Sequence, residues 1–510
     1  MKISRYILLA MLVMIATLSC NDFEEINTNP DNPTKVSPDM LATQVLKGTY
    51  RFWNPNPSDF TSGNLYNKHI AMLETNPNPY QYYFSYYPYG SFGSYVNLTD
   101  LNYMVEFAEG SPYESAYQGL ALFLKASFGL SATLDMGDVP YSEAGMATEG
   151  VIQPRYDKQA DVFVQILNDL EDAEANFASG ENFSGDIMFD GDVIKWRKLS
   201  NAMQLKVIQT MSKQATADQK ARFATLVNSG SLMESNDDNF KLVYSENPNA
   251  SYPMWNGEER RSYTAISQLA VEMLKNYNDR RLFYFAEPAQ ALIDGGMSAS
   301  DFAAYEGAPT ELSAEQLALN NQSGIYSLIN KRYPIYRDGD PMLLFTYSEQ
   351  CFIIAEAIEQ GWVSGDAQAY YENGVKAMLE YYMNLSHTMD HVHGMAIDQA
   401  YIDSYFTGAA AYATEGTKDD RLHQIWDQRW LIDFFQGNGG NYPQFLRTGY
   451  PEYPLDPSTS LNPDDQTVYP KRLLYPTSEQ TTNPVNYQKA IDEQYGGYDG
   501  INQVPWYLKD

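Results

Sequence analysis

The stretch from Met342 to Met383, MLLFTYSEQCFIIAEAIEQGWVSGDAQAYYENGVKAMLEYYM, decides the fold. Its first half predicts one helix running to Gly361, a residue suited to the left-handed C′ position that ends helices. Ser364-Gly-Asp366 then supplies the start of a second helix. In that helix Ala367, Tyr370, Tyr371, Gly374, Ala377, Met378 and Tyr381 fall on one face at steps of three and four. Two helices, a short turn and small residues at the contact make a tetratricopeptide-like pair. Glu356 is a lone acid among apolar residues, so it predicts a buried arginine partner rather than chemistry. Cys351, in the same apolar run, reads as a small hydrophobe.

The same period extends outward. Ser111-Pro-Tyr-Glu114 offers an N-cap, a proline at N1 and a glutamate at N3 ahead of the apolar run Leu120–Leu134, which Gly137-Asp138-Val139-Pro140 stops. From Asp157 to Phe177, Val162, Ile166, Leu170, Ala173 and Phe177 form a stripe. Asp192–Met211 repeats it with Trp196, Leu199, Met203, Val207 and Ile208, and Thr216–Val227 and Thr264–Leu274 read as further helices. Trp196 and Trp362 lie among apolar neighbours and are assigned to the core. The repeat is loose, so the expected architecture is mainly α: an irregular array of tetratricopeptide-like helical pairs with long aromatic-rich loops, in one domain over 38–510.

The N-terminus reads as an export signal. Lys2 and Arg5 precede the apolar run Ile7–Leu18, and Ser19 stands before Cys20. Residues 1–19 are expected to be a lipoprotein signal peptide and Cys20 the lipidated residue, which anchors the chain to a membrane. Residues 20–37, with Pro30 and Pro33 among Asn and Asp, are read as an extended tether. No later stretch approaches the length of a membrane span. Loss of Lys2 and Arg5 with the signal leaves 32 basic against 65 acidic residues, a surface that repels nucleic acid and anionic headgroups. With Cys20 lipidated, Cys351 has no intramolecular disulfide partner.

Chemical motifs are sparse. His387 and His391 are spaced to share a helix face near Asp390, with His393 beyond, but Gly394 and the polar flanks favour a loop, and no metal site is assigned. The Asn and Asp of 27–31 and 186–192 lack calcium-loop spacing and are read as turn and cap residues. Gly437-Asn-Gly-Gly440 lacks the lysine of a phosphate loop. Neither Gly-x-Ser-x-Gly nor His-Glu-x-x-His occurs; no catalytic residue and no cofactor is expected.

Taken in order, several motifs resemble the SusD/RagB family of nutrient-binding outer-membrane lipoproteins. They are Gly137-Asp-Val-Pro-Tyr-Ser-Glu-Ala144, Tyr156–Phe177 with Asp169-Leu-Glu-Asp-Ala173, and Trp196-Arg-Lys-Leu-Ser-Asn-Ala202. Ala355-Glu-Ala357 with Gly361-Trp362, Gln428-Arg-Trp430, Leu446-Arg-Thr-Gly-Tyr-Pro451 and Tyr469-Pro-Lys-Arg-Leu-Leu-Tyr-Pro476 follow, leading to Asn483 and Trp506. Arg429 stands where Lys is usual, and Trp506-Tyr507 where two Trp are usual. The acidic residues after Cys20 resemble the surface-export signal of Bacteroidota lipoproteins. The resemblance implies a non-catalytic surface protein that caps a SusC-like TonB-dependent outer-membrane transporter and delivers glycans, or sometimes peptides, to it.

The aromatic content agrees: 41 Tyr, 23 Phe and 7 Trp, many in loops. Sugar rings stack on aromatic faces while their hydroxyls pair with Asn, Asp, Glu and Arg. The expected ligand-binding residues are Tyr82, Tyr83, Tyr86, Tyr87 and Tyr89 from the loop 76–95, Tyr252 and Trp255 from the loop 245–263, and Trp53. The runner-up functions are a surface glycoside hydrolase and a scaffold that gates the transporter without binding free ligand.

Overall fold

Paired amphipathic helices form the frame in a computed structural model that describes residues 36–50, 57–84, 88–436 and 442–510. The helices that build it are α1 (Pro38–Tyr50), α2 (Asn97–Ala108), α3 (Glu114–Met136), α4 (Gln159–Ser179), α5 (Val193–Thr210), α6 (Ala217–Asn228), α7 (Tyr347–Glu359), α8 (Ala367–Met383) and α9 (Lys418–Ile432). Successive helices pack on one another from α2 through α6, and α1 lies on α2. α7 is the hub, in contact with α5, α8 and α9. The mainly helical architecture expected from the period is the one observed.

Local chemistry sets the element ends. Thr216 and Gln219 form a capping box at the start of α6, and the Asp192 side chain accepts from the Ile194 and Lys195 amides at the start of α5. After α7, Gly361 takes φ 75°. The Trp362 amide donates to the Ala357 carbonyl at 2.9 Å and the Gly361 amide to the Ile358 carbonyl at 2.9 Å, a Schellman end. α8 then starts on the Asp366 side chain, which accepts from the Ala369 amide. Gly374 sits where α8 crosses α7, and a Cβ there would come within 2.7 Å of Phe352 Cε1. The Cys351 thiol is buried in this contact, and burial pushes its pKa up to about 12.

Three helix readings shift. Thr264–Ile266 is strand β3, which pairs antiparallel with β1 (Ile70–Met72), Ile70 opposite Ile266. The helix begins only at Gln268, capped by Ser267. Met342–Phe345 is strand β4, antiparallel to β2 (Phe240–Leu242), and Thr346 caps α7. Ser111 does not cap α3: it forms a turn in which its hydroxyl accepts from the Tyr113 amide, and the helix starts at Glu114, whose carboxylate accepts from the Gly110 amide at 2.7 Å.

The motifs that carry the family resemblance are buried ties. Glu356 meets Arg447 at 2.5 Å and accepts from Trp426 Nε1 at 2.9 Å. Trp196 donates to Asp186, whose carboxylate also accepts from the amides of Met188, Phe189 and Gly191. Trp196 is fully buried, whereas Trp362 is half-buried against Phe223. Gln428 accepts from Arg281, Arg429 reaches Glu349 at 3.2 Å, and Arg472 pairs with Asp499 at 2.5 Å. No helix among the described residues is long and apolar enough to cross a membrane. Cys20, the tether segment 20–35 and Gly437–Gly440 lie outside the described residues.

Candidate functional site

The loop after Tyr244 is sewn to the segment 332–340 by backbone hydrogen bonds. The Tyr252 amide donates to the Arg337 carbonyl at 2.7 Å and the Asn256 amide to the Pro334 carbonyl at 2.8 Å. Asn256 takes φ 60°, a left-handed conformation that Asn tolerates, and the chain reverses there. The Trp255 amide donates back to the Tyr252 carbonyl at 3.0 Å, so the indole stands on a short, pinned turn. Tyr252 itself is the peg: it is 2% exposed, its ring edge-on to Phe60 and Tyr244, with Gly339 against it where a Cβ would clash.

Trp255 is half-buried, and the Arg337 guanidinium lies 4.0 Å from its ring centroid. Arg337 is held in turn by the Glu246 carbonyl at 3.0 Å. Beside it Tyr336 stacks on His387, centroids 4.1 Å apart and planes 12° apart. His387 Nε2 lies 3.1 Å from Asp338, and the Tyr336 hydroxyl lies 3.1 Å from His391 Nε2. Burial and the nearby Lys331 lower the His391 pKa, which favours neutral imidazole there. His393 faces Glu287 at 3.1 Å. The three histidines therefore turn to three different partners, and no cluster fit for a metal occurs among the described residues. The result is a surface in which half-buried Trp255 under Arg337 and half-buried Tyr336 on His387 are joined by exposed Ile335 and by donors and acceptors at Asn256, Arg337 and Asp338. Such a surface suits a ligand with alternating apolar faces and hydroxyls.

The other expected residues separate from it. Tyr83 is 1% exposed, capped by Lys68 4.2 Å from its ring centroid, and packs edge-on to Tyr66 and Tyr469. Tyr82 is buried with its hydroxyl on the Leu312 carbonyl at 2.6 Å. Tyr82, Tyr83 and Tyr252 thus present no ring face to a ligand, because loop tyrosines here fill the contact between helices and loops. Tyr89 is exposed but lies against the strand-like segment at Leu474. Trp53, Tyr86 and Tyr87 lie outside the described residues. Tyr336, Arg337 and Asp338 are not among the residues expected from the sequence to bind ligand, although Lys331-Arg-Tyr-Pro-Ile-Tyr-Arg-Asp338 has the same aromatic and polar mixture as the other loops.

Residues 30–476 match the profile of the SusD-like family, described as starch-binding and associating with the outer membrane. A SusD homologue from Bacteroides fragilis is 34% identical, with a TM-score of 0.87 over 93% of this chain and 100% of its own. A protein from Bacteroides vulgatus described as a putative outer-membrane protein, probably involved in nutrient binding, is 31% identical with a TM-score of 0.82 over the same shares. A protein described as chitin-binding is 26% identical, with a TM-score of 0.71 over 93% of this chain and 100% of its own. No curated protein matches the sequence.

Proposed function

Because the chain belongs to the SusD-like family, whose members are binding proteins of the outer membrane, we propose that it captures an oligosaccharide at the cell surface and delivers it to a SusC-like TonB-dependent transporter. The observation that carries the sugar reading is Trp255, held on a pinned turn beneath Arg337 next to the Tyr336–His387 stack. A rigid indole beside fixed donors binds a sugar ring without first ordering itself. The similar protein described as chitin-binding supports a carbohydrate cargo, and the one described as nutrient-binding supports uptake. Attachment through Cys20 would hold the domain at the membrane despite its acidic surface.

Calorimetry of the chain from residue 21 against a panel of polysaccharides and their oligosaccharides tests the reading. A saturable glycan should appear, and Trp255→Ala and Tyr336→Ala should each weaken it by about tenfold or more, the worth of one stacking contact. Binding that both variants retain would move the site elsewhere. Hydrolysis of the bound glycan would replace delivery with an enzymatic role.

A further inference from the structure

A cleft of about 410 Å³ lies between α3 and α5 on one side and the segments carrying Tyr442 and Lys471–Leu473 on the other. It shares no residue with the Trp255 surface. Tyr66 and Tyr442 stack in its wall, centroids 3.8 Å apart, and Tyr507 also lines it. Four of its cations are engaged by protein acids: Lys206 and Arg429 by Glu349 at 3.0 and 3.2 Å, Arg447 by Glu356 at 2.5 Å, and Arg472 by Asp499 at 2.5 Å. Two charged groups in the lining are left: the Asp135 carboxylate and the Lys471 ammonium, neither with a hydrogen bond or ion pair among the described residues.

Their placement is built rather than incidental. The Leu473 amide donates to the Asp135 carbonyl at 2.7 Å, which fixes the segment 471–473 against the last turn of α3. The Lys471 amide is tied to the Ile501 carbonyl at 2.8 Å. Tyr66 and Tyr507 line the same cleft, and the Asp135 charge opposes their ionisation. Burial pushes Asp135 up to about 7, and burial with the nearby Lys213 lowers Lys471. Both side chains are half-buried in the cleft wall, and charges left without a protein partner in a cleft are candidates for contact with a ligand.

We propose that this cleft is a second ligand site, for a small zwitterion such as a free amino acid or a short peptide, whose ammonium meets Asp135 beside Tyr66 and Tyr507 and whose carboxylate meets Lys471. The aromatic walls add cation–π attraction for the ammonium, and the charged hydrogen bonds at the two ends set the length of the ligand. The site is independent of the sugar-capture reading, and the two fail separately.

The test is calorimetry at pH 7 with alanine, di-, tri- and tetra-alanine, each also N-acetylated or C-amidated. One length should bind saturably, and blocking either end should cost at least about tenfold in affinity. Asp135→Asn should abolish the difference between free and acetylated peptide, and Lys471→Met that between free and amidated peptide. Trp255→Ala should leave all of this unchanged. Absence of saturable binding by any length, or equal binding of free and doubly blocked peptides to the wild type, overturns the proposal whatever the variants do.

Discussion

Glu356 shows what a single residue reveals when its neighbours are apolar. Burial pushes its carboxyl up, but Arg447, Arg429 and the Trp426 indole outweigh burial, and its pKa lies below the ordinary carboxylate value. Removing one partner leaves the other charge buried and unpaired. Arg447→Met should therefore destabilise the fold by about 3–5 kcal/mol, read as a fall in the unfolding midpoint. Asp135 is the opposite case. Its folded pKa of about 7 stands above the ordinary value of 3.8, so between those values the folded state holds a proton that the unfolded state has lost. Its contribution to stability is present in acid and disappears as pH rises through 7. Asp135→Asn should thus raise ligand-free stability by about 1–2 kcal/mol at pH 8 and leave it unchanged near pH 4, measured by denaturant unfolding at the two pH values. Trp255 was legible as a candidate site residue because tryptophan in a polar loop has few reasons to be there. Tyr82, Tyr83 and Tyr252 were not separable from it by type, since a loop tyrosine serves equally as a peg, and only burial tells the two apart.

At the scale of elements, the helices were legible because their apolar residues recur at the helical period and their caps are written locally, as at Thr216 and Gly361. The contact between α7 and α8 depends on Gly374. Gly374→Leu would drive a side chain into Phe352 and should cost about 1–3 kcal/mol, while Gly374→Ala, meeting the movable ring edge, should cost less; thermal unfolding orders the two. The short strands Thr264–Ile266 and Met342–Phe345 escaped because a run of three or four residues fits either period. Their state was set by partners about 190 and 100 residues away, at Ile70–Met72 and Phe240–Leu242. The pairing of β2 with β4 also brings the chain back to α7, so these few residues set where the loops emerge.

For the whole molecule, the acidic charge of −31 gives no attraction to anionic membrane surfaces, so the proposed position at a membrane would rest on lipid attached at Cys20. Cys20→Ala should move the protein from the membrane fraction to the soluble fraction of its native host with its glycan affinity intact, measured by fractionation and calorimetry. The sequence by itself determined the helical class and the family, because period, capping chemistry and motif order are properties of neighbours along the chain. Only the tertiary structure decided which aromatic rings face outward, that Arg337 covers Trp255, that Tyr336 stacks on His387, and that Asp135 and Lys471 share a cleft. Those relations join residues about 50 to 340 positions apart. Burial and long-range contact, which create a binding face, are fixed by packing and have no local signature.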